Sequence, residues 1–387
     1  MSYVFGDTSA NLAGRARGAD QTIDLSDTPP SSGSPIVLVG DSAGLFGHAR
    51  GGDDSLSNFP QAPGPDSPTG DATVVGDALM IGDHGSGGND TLAAGAFRAN
   101  AIVYGDAVTM NGHASGGDDR IDASAAYGTA TAYGDAQSMT DHARGGNDTI
   151  NGDAGHGDVV LYGDAKAMTG HAVGGDDAVS GVTSSGAPTV YGDAESMDDH
   201  ARGGNDVVQA GAFGGAAAYG DAKTMSGHSV GGDDSVTVSN GSGYGDAQTL
   251  TDHANGGDDV LHGGGFDNTL YGDGMELLGA ATGGNDTLIS APGRNDIMYG
   301  DAQTVSPGAR TGADTFVFTT DSGHDQIMDF EPGKDRIELP ASAFSTFQDL
   351  ASLIHDTPDG MLVQFDPADD ILVAGIHQLA ANDFLFA

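Results

Sequence analysis

A Gly-Asp pair recurs eleven times along the chain, from Gly6-Asp7 to Gly300-Asp301, at intervals of 25 to 36 residues. Thirteen residues after each of these aspartates comes a second Asp, preceded in nine copies by Gly-Gly and then Asp or Asn. The spacing between these two aspartates is therefore fixed. The variation in repeat length falls between the second Asp and the next Gly-Asp pair. A repeat of this size with one short apolar strand cannot bury its apolar face alone, whereas stacked copies can. The repeat therefore predicts an all-β, parallel β-solenoid of about eleven rungs rather than a disordered chain.

The charge is strongly negative and is carried almost entirely by aspartate. The chain has 56 acids, of which only four are Glu, against 13 Lys and Arg, for a formal net charge of −43. A field of this sign excludes nucleic acid and anionic lipid as simple electrostatic partners. The absence of Cys excludes disulfides, zinc-thiolate sites and thiol catalysis.

The two aspartates of each repeat are the candidate metal ligands. The first column contains the aspartates of the Gly-Asp pairs: Asp41, Asp77, Asp106, Asp135, Asp164, Asp193, Asp221, Asp246, Asp273 and Asp301. The second column contains the aspartates thirteen residues later: Asp54, Asp90, Asp119, Asp148, Asp177, Asp206, Asp234, Asp259, Asp286 and Asp314. In the first copy the same count leads from Asp7 to Asp20. The alternative is a purely structural role, in which these aspartates only form turns.

Stacked repeats would place equivalent carboxylates roughly 4.8 Å apart. Like charges at that distance repel by about 3 to 4 kcal/mol per pair at an effective dielectric near 20. Repeated over many rungs, this repulsion exceeds the roughly 5 to 15 kcal/mol that typically stabilises a domain. The folded columns therefore need cations, and carboxylates with turn carbonyls exposed by Gly favour Ca²⁺ over transition metals. We expect several bound Ca²⁺ ions.

A column of histidines follows seven residues after the first aspartate in eight copies. Its members are His48, His84, His113, His142, His171, His200, His228 and His253, and the first copy has Gly14 at this count. The residue before each histidine alternates between Gly and Asp. The alternation either reflects duplication of a two-rung unit or places the additional carboxylates two rungs apart, which reduces their repulsion. The histidines either pack in the loop and donate hydrogen bonds, or form a second site for zinc, copper or nickel. An apolar column that begins at Met110 predicts a small core in the same loop.

The turn signature resembles the nonapeptide of the repeats-in-toxin (RTX) family. Residues 146–150 (GNDTI) match its second half, and residues 134–136 (GDA) match its first half, but nine residues from Gln137 to Gly145 are inserted between them. The opposite turn survives at residues 152–158 (GDAGHGD). The resemblance implies a right-handed parallel β-roll with enlarged turn loops that binds Ca²⁺ in its turns.

The composition changes near residue 311. We expect residues 1–310 to form the calcium-binding solenoid and residues 311–387 to form a β segment that caps it. The last residues, NDFLFA, resemble the tail of RTX proteins that a type I secretion exporter recognises. No run of apolar residues predicts a membrane span, and no basic and apolar leader follows Met1. Together these features imply a Gram-negative extracellular protein that is secreted unfolded and folds on external calcium.

Catalysis is not expected, because the repeats fill the chain and neither a His-Glu-x-x-His zinc motif nor a phosphate-binding Gly-Lys-Ser/Thr motif occurs. Two functions from different classes fit the sequence. One is a structural or adhesive role at the cell surface or in matrix, through extracellular polysaccharide or self-association. The alternative is an ion-binding role, either as a calcium buffer or as a transition-metal scavenger that uses the His and Asp columns.

Overall fold

The computed structural model describes residues 2–25, 35–58, 70–319 and 321–387. It is an all-β, parallel solenoid of about ten turns with a C-terminal β segment, which confirms the predicted fold class. Each turn contributes three strands, as in Ala101–Tyr104, Ala107–Met110 and Arg120–Ala125. Strands of the same kind pair in parallel from turn to turn and form three ladders, which we name A, B and C in chain order.

Ladder A contains Ser2–Phe5, Ile36–Val39, Ala72–Val75, Ala101–Tyr104, Ala130–Tyr133, Val159–Tyr162, Pro188–Tyr191, Thr269–Tyr271, Ile297–Tyr299 and His324–Ile327. Ladder B contains Leu12–Gly14, Leu45–Gly47, Ala78–Ile81, Ala107–Met110, Ala136–Met139, Ala165–Met168, Ala194–Met197, Ala222–Met225, Ala247–Leu250, Gly274–Leu277 and Ala302–Val305. Ladder C contains Thr22–Asp24, Ser55–Asn58, Thr91–Ala96, Arg120–Ala125, Thr149–Ala154, Ala178–Thr183, Val260–Gly263, Thr287–Ile289, Thr315–Val317 and Arg336–Leu339. Two long strands, Val207–Tyr219 and Ser235–Tyr244, run through the turn that joins ladder C to ladder A and belong to both.

The solenoid has two separate apolar cores. The larger core lies between ladders A and C and includes Val103 and Ile121, both fully buried. The smaller core lies between ladder B and the loop that follows it, and it is built from Ala and Met side chains such as Met110 and Ala114. The predicted apolar column fills this loop core except at its last member, Val305, which is 41% exposed. The inserted nine residues therefore carry a core of their own.

The C-terminal segment continues two of the ladders. Its strands His324–Ile327 and Arg336–Leu339 pair in parallel with Asp370–Ala374 and Phe384–Phe386. Ile354–Thr357 and Gly360–Gln364 add antiparallel pairs, and the short helices are Phe347–Leu350 and Ala381–Asp383. Within the described ranges, no helix is long and apolar enough to cross a membrane.

The strand register corrects the alignment of the first copy. Phe5 pairs with Val39, but Gly14 pairs with Gly47 and Thr22 pairs with Ser55. The first loop therefore has one residue more than its neighbour, and counting thirteen residues from Asp7 was wrong there. Arg15, and not Gly14, occupies the place of His48. Gln21, and not Asp20, occupies the place of Asp54.

The residue before each histidine has a left-handed backbone. Its φ is 60–64° at Asp83, Asp141, Asp199 and Asp252, and 68–77° at the glycines that alternate with them. Gly adopts this region without strain, and Asp is among the few other residues that tolerate it. The Asp141 carboxylate also accepts a hydrogen bond from the backbone N–H of Gly112 in the preceding turn, at 3.2 Å. Backbone geometry thus favours Gly and Asp in this column, a reason that neither sequence explanation of the alternation included.

We expect Asp141→Ala to lower the free energy of unfolding by about 1 to 2 kcal/mol, because a Cβ without a local hydrogen bond is strained at positive φ. Asp141→Gly should cost less, since Gly stands at the same place in the neighbouring turns. Denaturant unfolding in excess calcium measures both values. Equal losses for the two variants would contradict the backbone explanation.

Candidate cation-binding columns

The structure brings all twenty predicted aspartates into two continuous buried columns. The first column follows ladder A directly, at the turn into ladder B, and the second column immediately precedes ladder C. None of the twenty residues has more than 3% of its surface exposed. The columns therefore lie where the three ladders meet, between the two apolar cores.

In the second column each carboxylate is bonded to the backbone of the preceding turn. The backbone N–H of Asp90 donates to Oδ1 of Asp119 at 2.7 Å, and that of Asp119 donates to Oδ1 of Asp148 at 2.6 Å. The same contact recurs at every step from Asp54 to Asp314, with distances of 2.6 to 3.0 Å. The short Asp side chain is required here, because the carboxylate must reach the adjacent backbone while its Cα stays in register.

In the first column the carboxylate bonds within its own turn. Asp135 Oδ1 accepts a hydrogen bond from the N–H of Gly146 at 3.0 Å, and Asp164 Oδ1 accepts one from Gly175 at 3.0 Å. The donor is the second glycine of each Gly-Gly pair, eleven residues after the aspartate. This contact ties the start of the loop to its end and explains the fixed spacing of the first half of the repeat.

Most of these carboxylates retain one buried oxygen without any partner. Eighteen of the twenty have such an oxygen, the exceptions being Asp106 and Asp301. A buried charged oxygen without a partner carries a large desolvation cost. Eighteen of them in one small domain require compensation by a positive charge or by protons.

Glycine allows these oxygens to approach the backbone closely. A Cβ added at Gly145 would lie 2.4 Å from the unpartnered Oδ2 of Asp135 and 1.9 Å from Oδ1 of Asp164, so these two oxygens lie within about 4.3 Å of each other. A Cβ at Gly105 would lie 1.5 Å from the carbonyl oxygen of Gly134 and 2.2 Å from the unpartnered Oδ2 of Asp119. Only glycine tolerates so close an approach, and the atoms that make it are carboxylate and carbonyl oxygens. This donor set fits Ca²⁺, which takes oxygen ligands in flexible geometry.

In the described parts of the chain, no three or more His, Asp or Glu side chains converge on one point as a metal cluster would. The carboxylates meet in pairs from neighbouring turns, so a bound cation would need backbone carbonyls in addition. Such a set suits a hard cation better than zinc, which prefers nitrogen and sulfur ligands.

Burial raises the pKa of the carboxyl groups in both columns, and for most of them the like charges of neighbouring turns raise it further. The pKa is raised to about 6 at Asp41, Asp135 and Asp221 and to about 7 at Asp54. At fully buried positions such as Asp148 it is raised well above the usual value. Without a cation, these groups are therefore protonated more easily in the folded chain than in the unfolded chain.

The ends of the columns contain residues that the sequence interpretation missed. Gln21 occupies the second column in the first turn, and its N–H donates to Oδ1 of Asp54 at 2.7 Å. At the other end, Asp335 accepts a hydrogen bond from the N–H of Asp314 and extends the second column by one turn. Asp329 lies one residue out of register with the first column, and its carboxylate accepts the N–H groups of Gly300 and Asp301 where that column ends. Gly333-Lys334-Asp335 is a shortened form of the turn motif, a signal that could have identified Asp335.

A lysine ammonium group closes the C-terminal end of the columns. Lys334 Nζ contacts Glu331 Oε2 and Thr311 Oγ1. Its positive charge lowers the pKa of Asp301, partly offsetting the increase that burial causes. A fixed cation thus stands where the columns end.

The histidine column is exposed and stacked. All eight imidazoles lie on the surface of the loop, and consecutive ring centroids are 4.8 to 5.1 Å apart. The rings contact each other rather than donate to an Asp or a carbonyl. Two nitrogens on one zinc ion can be at most about 4.2 Å apart, whereas equivalent atoms of parallel rings repeat at the ring spacing. A transition-metal site in this column remains a prediction.

Two stretches match the Gly-x-Ser-x-Gly pattern of serine hydrolases, at residues 40–44 and 227–231. Ser229 is fully buried in the loop core, where other turns carry Ala, as at Ala201 and Ala254. Ser42 is also fully buried and donates to the carbonyl of Gly44 at 3.2 Å. Neither serine lies on the exposed strand-to-helix turn that such a nucleophile needs.

No family model, no curated protein and no solved structure matches the chain.

The raised pKa values predict an unusual pH dependence for the calcium-free protein. A carboxyl with a higher pKa in the folded state stabilises the fold while it is protonated, below about pH 4, and this contribution is lost as pH rises through 6 to 7. Far-ultraviolet circular dichroism of calcium-free protein should therefore show more β structure at pH 4.5 than at pH 8.

The control is the same series in excess calcium, where acid should weaken the fold because protons compete with the cation. A β signal in calcium-free protein that increases from pH 4.5 to pH 8 would contradict the buried-carboxylate account.

Proposed function

We propose that the protein is a non-catalytic, calcium-binding repeat protein of the RTX type whose solenoid folds when extracellular calcium enters the two Asp columns. The observation that carries the proposal is the set of eighteen buried carboxylate oxygens without a partner. Cations between neighbouring turns would satisfy these oxygens and remove the repulsion along each column. The parallel solenoid and the carboxylate and carbonyl oxygens around the glycines are compatible with this proposal.

The biological role that fits best is structural or adhesive, at the cell surface or in extracellular matrix. The protein would be exported unfolded by a type I secretion system and would fold outside the cell, where calcium is abundant. An array of ions along the whole solenoid makes folding cooperative and stiffens a long, regular surface. Such a surface suits contact with polysaccharide or with further copies of the protein.

The alternative is an ion-binding function, either as a calcium buffer or as a transition-metal scavenger. Its second form would use the exposed histidine column. Cell fractionation separates the two roles: a matrix component sediments with cells and is released by a chelator, whereas a scavenger stays soluble.

Calcium titration of the metal-free protein at pH 7.5 tests the folding proposal. We expect a cooperative coil-to-β transition in far-ultraviolet circular dichroism with calcium, and no such transition with magnesium, which demands smaller and more regular octahedral sites. A β signal that persists unchanged in excess chelator would contradict calcium-driven folding. A transition with zinc alone would favour the scavenger.

Asp119→Asn tests one step of the column. The amide replaces the unpartnered Oδ2 beside Gly105 without changing the size of the side chain. We expect the folded variant to bind about one calcium ion fewer per molecule, measured by isothermal titration calorimetry. We also expect its metal-free form to be more stable than that of the wild type, because a buried charge is removed.

The matched control is Asp122→Asn, which makes the same change of charge at a half-exposed carboxylate on ladder C. It should alter neither quantity. A calcium count that stays the same in Asp119→Asn would show that this carboxylate does not bind the ion.

A further inference from the structure

One edge of the solenoid carries most of the arginines of this acidic chain. It combines the exposed histidine column with the column two residues further on, which pairs from turn to turn through isolated bridges such as Arg17 to Arg50. A buried residue, Ala49 in the second turn, separates the two columns, so both face outward. We call this surface the His/Arg edge, and it comprises the eight histidines with Arg15, Arg17, Arg50, Arg144, Arg202 and Arg310. It holds six of the ten arginines and eight of the 13 histidines.

The guanidinium groups of this edge are largely unpaired. All six arginines are exposed, and of these six only Arg17 forms an ion pair with a described residue, Asp20 at 3.3 Å. The acids nearest along the chain to three of the arginines are each three residues away: Asp53 from Arg50, Asp141 from Arg144 and Asp199 from Arg202. Asp53 and Asp141 accept a backbone N–H from the adjacent turn instead, each at 3.2 Å. Five unpaired guanidinium groups in a chain with 56 acids are available to an external anion.

The imidazole rings present only their edges to solvent. Each inner ring has a neighbour on both faces at about 4.9 Å, so neither face is free to stack on a ligand. The exposed nitrogens can still donate or accept hydrogen bonds. A partner must therefore offer oxygen atoms along its length rather than flat bases.

The edge is long, and its N-terminal end contains a depression. Seven steps of 4.8 to 5.1 Å lead from His48 to His253, a path of about 35 Å along the ring centroids. At its N-terminal end, Arg15, Arg17, His48 and Arg50 line a depression of about 470 Å³. Three guanidinium groups around one depression form the densest positive charge on this edge.

We propose that the His/Arg edge binds a linear acidic polysaccharide, whose carboxylates pair with the arginines and whose hydroxyls bond the ring edges. Guanidinium groups pair with carboxylates through two parallel hydrogen bonds, which gives this recognition its geometry. The proposal rests on the matrix role put forward above and assigns the surface that performs it. Nucleic acid fits less well, because its charge density is high against a protein of net charge −43 and its bases find no free ring face.

The test measures binding of a galacturonic acid octamer to the full chain by isothermal titration calorimetry in calcium-containing buffer. The variant is Arg50→Ser/Arg144→Ser/Arg202→Ser, which installs the residue that the chain itself carries in this column at Ser86 and Ser115. The control, Arg98→Ser/Arg120→Ser/Arg294→Ser, removes the same charge away from the edge. We expect the edge variant to bind about tenfold more weakly or worse, and the control to stay within about twofold of wild type.

Several results would overturn the proposal: equal losses in the two variants, undiminished binding of the fully methyl-esterified octamer, or tighter binding of a single-stranded oligonucleotide of equal charge. Circular dichroism of the same samples with and without calcium keeps this test separate from the folding proposal. Edge-specific binding by a fold that does not need calcium would overturn the calcium proposal alone. Calcium-driven folding without edge-specific binding would overturn this inference alone.

Discussion

The repulsion between stacked, buried carboxylates governs this structure. Two columns of ten aspartates lie in a dry interior, and neighbouring charges at the spacing of one turn cost about 3 to 4 kcal/mol per pair at an effective dielectric near 20. Apolar burial between ladders A and C favours stacking, while the carboxylates oppose it. On the proposed function, bound cations would neutralise that charge and so couple the occupancy of the columns to folding.

Several sequence features follow from this constraint. Aspartate is used rather than glutamate because the carboxylate must bond the adjacent backbone, as Asp148 does with the N–H of Asp119. The two glycines of each pair serve different purposes. A Cβ at Gly116 would collide with the carboxylates of Asp106 and Asp135, whereas a Cβ at Gly117 would lie 1.7 Å from the carbonyl oxygen of Gly88 in the preceding turn. The first glycine lets two carboxylates approach the backbone, and the second allows the turns to stack.

The sequence predicts what recurs and fails where the repeat is interrupted. The fold class, both Asp columns and the loop core could be read from periodicity, because every interior turn obeys the same geometry. The register of the first copy could not be predicted in this way. One additional residue there shifts Arg15 and Gln21 into the places that counting assigns to Gly14 and Asp20. The exposure of the histidines also escaped prediction. A residue at fixed spacing in a loop can face the core or the solvent. Here its direction is set by the strand pairing of ladder B before it and by the isolated bridges, such as Arg17 to Arg50, after it.

The inserted loop increases the burial of the carboxylate columns. Its Ala and Met core covers the columns on the side opposite ladders A and C, so apolar side chains shield the carboxylates on both sides. The carboxylate of Asp135 also joins the start of the loop to its end through the N–H of Gly146, so loop packing and carboxylate burial occur together. The histidines and the arginines of the edge stand on this same loop. On the proposed function, calcium would therefore control folding and also the display of the surface that meets the polysaccharide, so that the unfolded protein inside the cell presents no binding edge.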